Sequence, residues 1–174
     1  EHPPAMWSRI FRELATSEHL SIVESSRFFA ALYVTAADAL ISAWVDKRHH
    51  LFWRPITAIR LADTDGNPAT TADPEWLPLL ATPPYPEHPS GHASLSGSIV
   101  ATLQRFFGTD EMHFGATSAV TGTTRSFDRF SEAIDEIVDA RVWSGIHFRA
   151  ADTQAAELGR RISRYVAGHE FGPR

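Results

Sequence analysis

Three separated segments of the chain carry side chains that together suit a small tetrahedral oxyanion. They are the cations Lys47 and Arg54, the tripeptide Ser90-Gly91-His92, and the pair Arg141 and His147. An oxyanion such as phosphate presents several oxygens and more than one negative charge, so its site needs cations, neutral donors and often an imidazole. The three segments supply all of these groups and predict one anion-binding site.

The first segment joins the end of one predicted helix to the start of another. A long apolar stretch from Leu20 to about Arg48 predicts a helix buried in the centre of a bundle, and Arg54-Pro55 begins a shorter helix. Lys47 and Arg54 can therefore reach one pocket from adjacent helix ends. Taken alone, Lys47 is better explained as a cation that favours a helix C-terminus.

The second segment lies where a further helix is predicted to begin. Ser90 is a preferred N-cap residue, and the sequence SGHASLSGSIVATLQRFF continues with helical apolar spacing. The first turn of a helix leaves backbone N–H groups free, and Gly91 allows a ligand to approach the backbone closely. An ordinary Ser N-cap after a proline turn is the alternative interpretation.

The third segment brackets a predicted break at Gly145, between helices expected at about 127–144 and about 150–166. Arg141 can clamp oxygens with its planar guanidinium, and His147 can bond a central atom if its ring is neutral and held in orientation. Asp152 is the candidate acceptor that orients the His147 ring.

Apolar spacing along the whole chain predicts an all-α helical bundle that forms one domain, residues 1–174. We expect a first helix after Pro3-Pro4, a long loop at about 63–89, and a connector at 108–124. No alternation typical of strands is apparent. Because the chain begins at Glu1 rather than Met, we expect it to be the C-terminal piece of a longer protein.

Composition narrows the classes of partner. The net charge is -5 and the pI about 6.0, so the cationic segments are local exceptions, which favours a small anion over nucleic acid. The absence of cysteine excludes thiol catalysis. No uninterrupted apolar run reaches the length of a membrane span, so we expect a soluble protein, with any secretory or periplasmic signal upstream of Glu1.

The motifs WRPITAIR, YPEHPSGHASLSG and GIHFRAAD together resemble the superfamily of vanadium-dependent haloperoxidases and type 2 phosphatidic acid phosphatases, in particular its soluble bacterial haloperoxidase-like branch. The resemblance runs from about His2 to about Val166. It implies the helical bundle of that superfamily, with vanadate bound, or phosphate in the same site. It also implies that a homo-oligomer is a common state.

The resemblance implies a role for each residue of the three segments. Oxyanion oxygens would be bound by Lys47, Arg54, Ser90, the Gly91 amide and Arg141. His147 would bond the central atom, as a ligand of vanadium or as a nucleophile toward phosphorus, and His92 would act as acid and base. The surrounding layer or pocket wall would comprise Trp44, Tyr85, Asp152 and Asp38. Asp152 follows His147 by five residues, whereas the phosphatase pattern places this acid four residues after the histidine.

Two reactions fit the same residues. A haloperoxidase would use hydrogen peroxide and a halide, with vanadate as a Lewis acid and Lys47 polarising the peroxide. A soluble acid phosphatase would form a phosphohistidine at His147 from a phosphate ester, with His92 protonating the leaving alcohol. The neighbourhood of the motifs, including Trp44, favours the haloperoxidase, while Tyr85 indicates no halide preference. A non-catalytic oxyanion-binding domain is a third interpretation.

Overall fold

Helices form most of the chain in a computed structural model that describes residues 2–172. The α-helices are α1 (Pro3–Ser17), α2 (Ile22–His50), α3 (Pro55–Arg60), α4 (Gly91–Phe107), α5 (Phe130–Trp143) and α6 (Arg149–His169). Strands β1 (Glu111–Thr117) and β2 (Thr124–Arg129) form an antiparallel hairpin between α4 and α5. A 3-10 turn, Ala62–Thr64, follows α3. The predicted helical bundle is confirmed.

Helix α4 is the central element of the bundle, and it packs against α6 with almost no side chain between the two backbones. A Cβ placed on Gly97 of α4 would lie 2.6 Å from the carbonyl oxygen of Ala156. A Cβ placed on Gly159 of α6 would lie 2.4 Å from the carbonyl oxygen of Ser94. Glycine is therefore required at both positions, and this contact fixes the start of α4 relative to the start of α6.

Aromatic side chains fill the space between α1, α2, α5 and the hairpin. Buried members of this core include Trp7, Phe11, Phe28, Phe114 and Phe130. The indole N–H of Trp7 donates to the Ser96 hydroxyl of α4 at 3.1 Å, so this buried polar group is satisfied. The core holds the elements that carry the predicted site in a fixed relative position.

The long helix α2 is buried on one face only, which corrects the prediction that it is buried in the centre of the bundle. Ser21 and Glu24 form a capping box at its start. One face packs inward through Phe28, Leu32 and Ala39, whereas the opposite face exposes Val34, Ile41 and Val45, among others. The apolar composition suggested burial on every side, but the fold of residues 2–172 covers only one face of the helix.

The apolar character of α2 also bears on the expectation that the chain has no membrane-spanning segment. In the described residues, the stretch Ile22–Arg60, which comprises α2 and α3, contains an 18-residue window that is apolar enough to cross a membrane by length and composition. Only 28% of that window is buried. Core helices of globular proteins can have the same length and hydropathy, so this property alone does not place the chain in a membrane.

The hairpin is an element that the sequence reading missed. The predicted connector at 108–124 contains β1, and Phe127, the predicted start of the following helix, lies in β2. Pairing is irregular between Glu111 and Phe114, and only Phe114 is buried in β1. Met112, Phe114 and Ala116 do alternate with polar or small residues and face the core, so a short strand pattern was present and the prediction overlooked it.

The long loop between α3 and α4 lies across the turn that joins α5 to α6, as the backbone N–H of Leu80 donates to the Ser144 carbonyl at 3.3 Å. Gly145 has a φ of +72°, and a Cβ there would lie 3.0 Å from the Trp76 ring and 3.1 Å from Pro78 Cα. The predicted helix break at Gly145 is confirmed, and the loop closes over it.

Candidate oxyanion site

The backbone of residues 85–87, just before α4, receives hydrogen bonds from two of the predicted cations. Lys47 Nζ donates to the carbonyl oxygens of Pro86 at 2.8 Å and Glu87 at 3.0 Å. Arg54 donates from Nε to the Tyr85 carbonyl at 3.0 Å and from Nη2 to that of Pro86 at 3.4 Å. Lys47 and Arg54 are 1% and 5% exposed. The two helix ends therefore converge on one buried location, as the sequence predicted.

The imidazole of His147 lies at the same location and is held at both ring nitrogens. Its Nδ1 is 2.8 Å from Glu87 Oε1, and its Nε2 is 3.1 Å from Arg54 Nη1. The carboxyl group that contacts the ring is therefore that of Glu87, and the prediction that Asp152 holds His147 is wrong. The Asp152 carboxyl, on the first turn of α6, makes no hydrogen bond to His147, and Glu87 reaches the ring from a segment 60 residues earlier in the chain.

Ser90 and Gly91 begin α4 on another side of the same cluster. The Ser90 hydroxyl accepts from the Ala93 backbone N–H at 3.4 Å, which confirms the predicted N-cap. The Ser90 backbone N–H donates to the Ala151 carbonyl at 3.2 Å and so ties α4 to α6. A Cβ on Gly91 would have no atom within 4 Å, so open space lies beside this backbone.

Arg141 and Asp152 form the charged edge of the cluster on α5 and α6. Arg141 Nε is buried and has no hydrogen-bond partner in residues 2–172. Asp152 is fully buried, and burial raises the pKa of its carboxyl to about 7, against the opposing effects of Ser90 and Arg141. A buried guanidinium N–H that lacks an acceptor is a position where a bound oxyanion would supply one.

His92 lies in the first turn of α4 and differs from His147 in having free ring nitrogens. Its side chain is half-buried and makes no hydrogen bond within residues 2–172. Burial, with Arg141 and then His147, lowers the pKa of His92 to about 3. This imidazole is therefore neutral near pH 7 and able to accept a proton from a bound group.

The crowding of positive groups is the main electrostatic property of the cluster. Burial, and next the charge of Arg54, lowers the pKa of Lys47 to about 8. Burial, followed by the charges of Arg54 and Arg141, lowers the pKa of His147 to about 2. Because each cation disfavours the next, a negative ligand would stabilise all of them together.

An aromatic wall closes one side of the cluster. The Tyr85 ring has Lys47 Nζ at 5.2 Å and Arg54 Cζ at 5.1 Å from its centroid, which is cation–π distance. The rings of Trp44 and Tyr85 meet edge to face with centroids 4.9 Å apart. The structure thus brings Trp44 and Tyr85 to the predicted site as wall residues.

Asp38 does not lie at the oxyanion site. It lines a groove between α2 and α6 together with Arg161 and Tyr165, and none of the oxyanion-site residues lines that groove. The interpretation of Asp38 as a wall of the oxyanion pocket is therefore wrong, because Asp38 lies on the part of α2 that faces the C-terminal half of α6.

Glu87 is the site residue that sequence reasoning missed. It is an acid three residues before Ser90 in the motif YPEHPSGH, and its side chain is 1% exposed. The position of this acid just before the predicted ligand-binding turn was the feature of the sequence that could have identified it as a site residue. The predicted acceptor, Asp152, is close to His147 in sequence, whereas the contact of His147 with Glu87 joins residues 60 positions apart.

The donor set fits a tetrahedral oxyanion better than a metal cation. Within residues 2–172, no group of three or more His, Asp or Glu side chains is arranged to hold a metal ion. A vanadate or phosphate ion instead needs one imidazole nitrogen and N–H or O–H donors for its oxygens. His147, the three cations and the open start of α4 meet this requirement, and the unpartnered Arg141 Nε provides a free donor.

Comparison with known proteins identifies related sequences. Residues 27–171 match a family model described as the VCPO second helical-bundle domain. The vanadium chloroperoxidase of Curvularia inaequalis is 31% identical over 124 residues, and the match covers 60% of this chain and 20% of that protein. The chain thus spans about a fifth of the length of this curated relative.

Solved structures that match this chain are also vanadium-dependent haloperoxidases. A bacterial vanadium-dependent iodoperoxidase matches with a TM-score of 0.85 and 32% identity, covering 95% of this chain and 38% of that one. The holo form of a bacterial vanadium-dependent chloroperoxidase matches with a TM-score of 0.73 and 21% identity, covering 89% of this chain and 38% of that one. The second likeness concerns the fold alone.

Proposed function

Since the chain belongs to the family of VCPO second helical-bundle domains, we propose that it binds vanadate and oxidises halide with hydrogen peroxide. The observation that supports this most is the convergence of buried Lys47 and Arg54, and of the partly buried Arg141, around the oriented ring of His147. Such a concentration of buried positive charge is costly unless an anion offsets it. The names of the relatives indicate vanadate as that anion.

The residues would divide the work of holding the ion. His147 Nε2 would bond vanadium, while Lys47, Arg54 and Arg141 would neutralise the oxygens and the Ser90 hydroxyl and Gly91 N–H would donate to them. Bound vanadate supplies a Lewis acid that activates peroxide without a change in its own oxidation state. The cations would stabilise negative charge that develops on the oxygens.

His92 would move the proton. It is neutral near pH 7, lies in the first turn of α4, and has Arg141 and His147 close enough to lower its pKa. A neutral imidazole with free nitrogens can accept a proton from peroxide as it binds and return it to the departing oxygen. The negative charge of the bound ion would stabilise the protonated ring in between.

A phosphatase is the second candidate, and one observation favours it. An imidazole that is neutral and held at Nδ1 by a carboxylate, as His147 is by Glu87, is also the arrangement of a histidine nucleophile. Nε2 would attack phosphorus to form a phosphohistidine, and His92 would protonate the leaving alcohol. The same residues then serve a different central atom.

One assay separates these functions. Purified protein is given orthovanadate or buffer, and the oxidation of iodide or bromide by hydrogen peroxide is followed. In parallel, phosphate release from p-nitrophenyl phosphate is measured. Vanadate-dependent halide oxidation supports the proposal, and phosphate release that vanadate inhibits supports the phosphatase. Tight binding of vanadate without either turnover would favour the non-catalytic oxyanion-binding domain.

Several broader expectations stay predictions. The chain spans 20% of the curated relative and 38% of each of the two solved structures, so the activity assigned to a whole protein is a proposal. The same holds for a single domain that is the C-terminal piece of a longer chain, for a homo-oligomer, and for a secreted or periplasmic location. Sedimentation of the purified chain measures the oligomeric state directly.

A further inference from the structure

We infer that Glu87 is a positioning residue that fixes His147 in one tautomer, with the proton on Nδ1 and the lone pair of Nε2 directed at the oxyanion. The inference deepens the proposed function, because it rests on His147 as the residue that bonds the central atom. It assigns the residue that determines which ring nitrogen is available for that bond.

The first argument comes from the Glu87 side of the ring. Glu87 Oε1 lies 2.8 Å from His147 Nδ1 and 2.9 Å from the backbone nitrogen of Phe148. A backbone N–H can only donate, so this carboxylate oxygen is an acceptor in the second contact. Burial raises the pKa of Glu87, whereas the Phe148 N–H and the charges of Arg54 and Lys47 oppose this and favour the ionised form. An ionised carboxylate has no proton to donate, so the first contact then takes its proton from Nδ1.

The second argument comes independently from the opposite side of the ring. Arg54 Nη1 lies 3.1 Å from His147 Nε2 and also donates to the Ile146 carbonyl at 2.8 Å. A guanidinium has donors and no acceptor, so Nε2 must carry a lone pair. Both ends of the ring thus require the same tautomer, and a central atom that bonds Nε2 takes the place of the Arg54 N–H on that lone pair.

The surroundings make Glu87 the natural anchor for this geometry. The side chains of His147 and Glu87 are 2% and 1% exposed, so water does not compete for either contact. The Glu87 backbone is also pinned, because its N–H donates to the Phe52 carbonyl at 3.0 Å and its carbonyl accepts from Lys47 Nζ at 3.0 Å. One residue therefore couples the ring of His147 to the position of Lys47.

The consequence for binding follows from general behaviour of ligating histidines. A carboxylate on the far nitrogen orients the ring and increases the electron donation of the ligating nitrogen, and its removal typically costs about 10–100-fold in affinity. Glu87→Gln keeps an oxygen that accepts from Nδ1–H and Phe148 N–H but removes the negative charge. Glu87→Leu removes both.

The tautomer is measured in the ion-free protein, without any substitution, by NMR of protein labelled with ¹⁵N-histidine. We expect His147 to show a protonated Nδ1 and an unprotonated Nε2. A protonated Nε2 in the wild type would overturn the inference, whatever the halide assay shows. Halide oxidation can fail while this tautomer is observed, so the two failures are distinguishable.

Affinity is then measured by calorimetric titration with orthovanadate and with inorganic phosphate. We expect about 10–100-fold weaker binding for Glu87→Gln and a larger loss for Glu87→Leu. The matched control is Glu75→Gln, which removes the same charge at an exposed loop position and should leave affinity unchanged. Wild-type affinity in a folded Glu87→Leu variant, checked by circular dichroism, would remove Glu87 from this role.

Discussion

The two imidazoles of the site lie close together but are held in opposite ways. His147, in the turn before α6, is 4% exposed and contacts Glu87 at Nδ1 and Arg54 at Nε2. His92, in the first turn of α4, is half-buried and makes no hydrogen bond within the described part of the chain. The contacts at both nitrogens hold the His147 ring in one orientation and determine which nitrogen carries the proton, whereas no such contact holds the His92 ring.

The difference indicates separate tasks. A ring that must bond a central atom benefits from a locked orientation and a single available lone pair. A ring that must accept and return a proton needs free nitrogens and a pKa that its ligand can shift. The pKa of each imidazole is lowered in the ion-free site, to about 2 for His147 and about 3 for His92, with burial as the main cause. A bound anion therefore favours protonation of His92, whose ring has no hydrogen-bond partner among residues 2–172.

His147→Ala is the most severe way to break this comparison. Loss of the bond to the central atom should reduce vanadate-dependent turnover by at least about 1,000-fold, a size typical of losing a directly bonded group. Vanadate affinity measured by calorimetry should fall with it. If turnover survives in the alanine variant, the central atom is bonded elsewhere and the assigned site is wrong.

His92→Ala tests the other half of the comparison. Loss of a proton acceptor should slow turnover by about 100-fold, the lower range of general acid–base catalysis, because the oxygens keep their cationic ligands. Orthovanadate affinity should change by only a few-fold. Comparing the loss of turnover with the loss of orthovanadate affinity separates a role in catalysis from a role in binding. Equal losses in both would assign His92 to binding.

Lys47→Met tests the charges that both imidazoles share. Sulfate is a suitable probe, since its charge is constant over this pH range. As pH rises through about 8, Lys47 loses its proton in the ion-free site, so sulfate affinity should fall by up to about tenfold per pH unit. Asp152, with a pKa of about 7, becomes negative as pH rises through about 7, and its charge also lowers the affinity for sulfate.

The Lys47→Met variant should bind sulfate about tenfold more weakly at pH 7. Its sulfate affinity should still decline near pH 7, where Asp152 loses its proton, but should show no further decline near pH 8. Calorimetric titrations from pH 6 to pH 9 on both proteins provide the check. A wild-type affinity that stays level above pH 8 would mean that Lys47 does not face the ion.

Gly159→Ala gives the smallest expected change in turnover, because it acts on the spacing of the two imidazoles rather than on either one. The new Cβ would lie 2.4 Å from the Ser94 carbonyl, two residues after His92, and would push α4 from α6. Overpacking of this kind typically costs about 1–3 kcal/mol of stability. Turnover per folded molecule should fall by only a few-fold.

The matched control for this prediction is Gly168→Ala on the same helix, where a Cβ would meet no atom within 4 Å. Relative to glycine, alanine in a helix should stabilise the protein by up to about 1 kcal/mol. Urea unfolding of the three proteins gives the free energies. Similar stabilities for the two variants would contradict the close packing of α4 on α6.

Much of the fold was predictable because it depends on local patterns. Apolar spacing predicted α1, α2, α4 and α6, and Ser90 and Gly145 were correctly predicted as an N-cap and a helix break. Each of these features is determined by residues within a few positions of one another. The hairpin was missed although Met112, Phe114 and Ala116 alternate with polar or small residues in β1, because this alternation covers only 7 residues and the pairing is irregular.

The sequence by itself determined which groups carry the chemistry: three cations, a helix start with small polar residues, and two histidines, each at or near the end of a helix. Only the tertiary structure decided how those groups are connected. Glu87 rather than Asp152 holds His147, and Asp38 lies in a different groove. The physical reason is that hydrogen bonds of buried polar groups are set by which backbones meet in space, and Glu87 and His147 meet across 60 residues of chain.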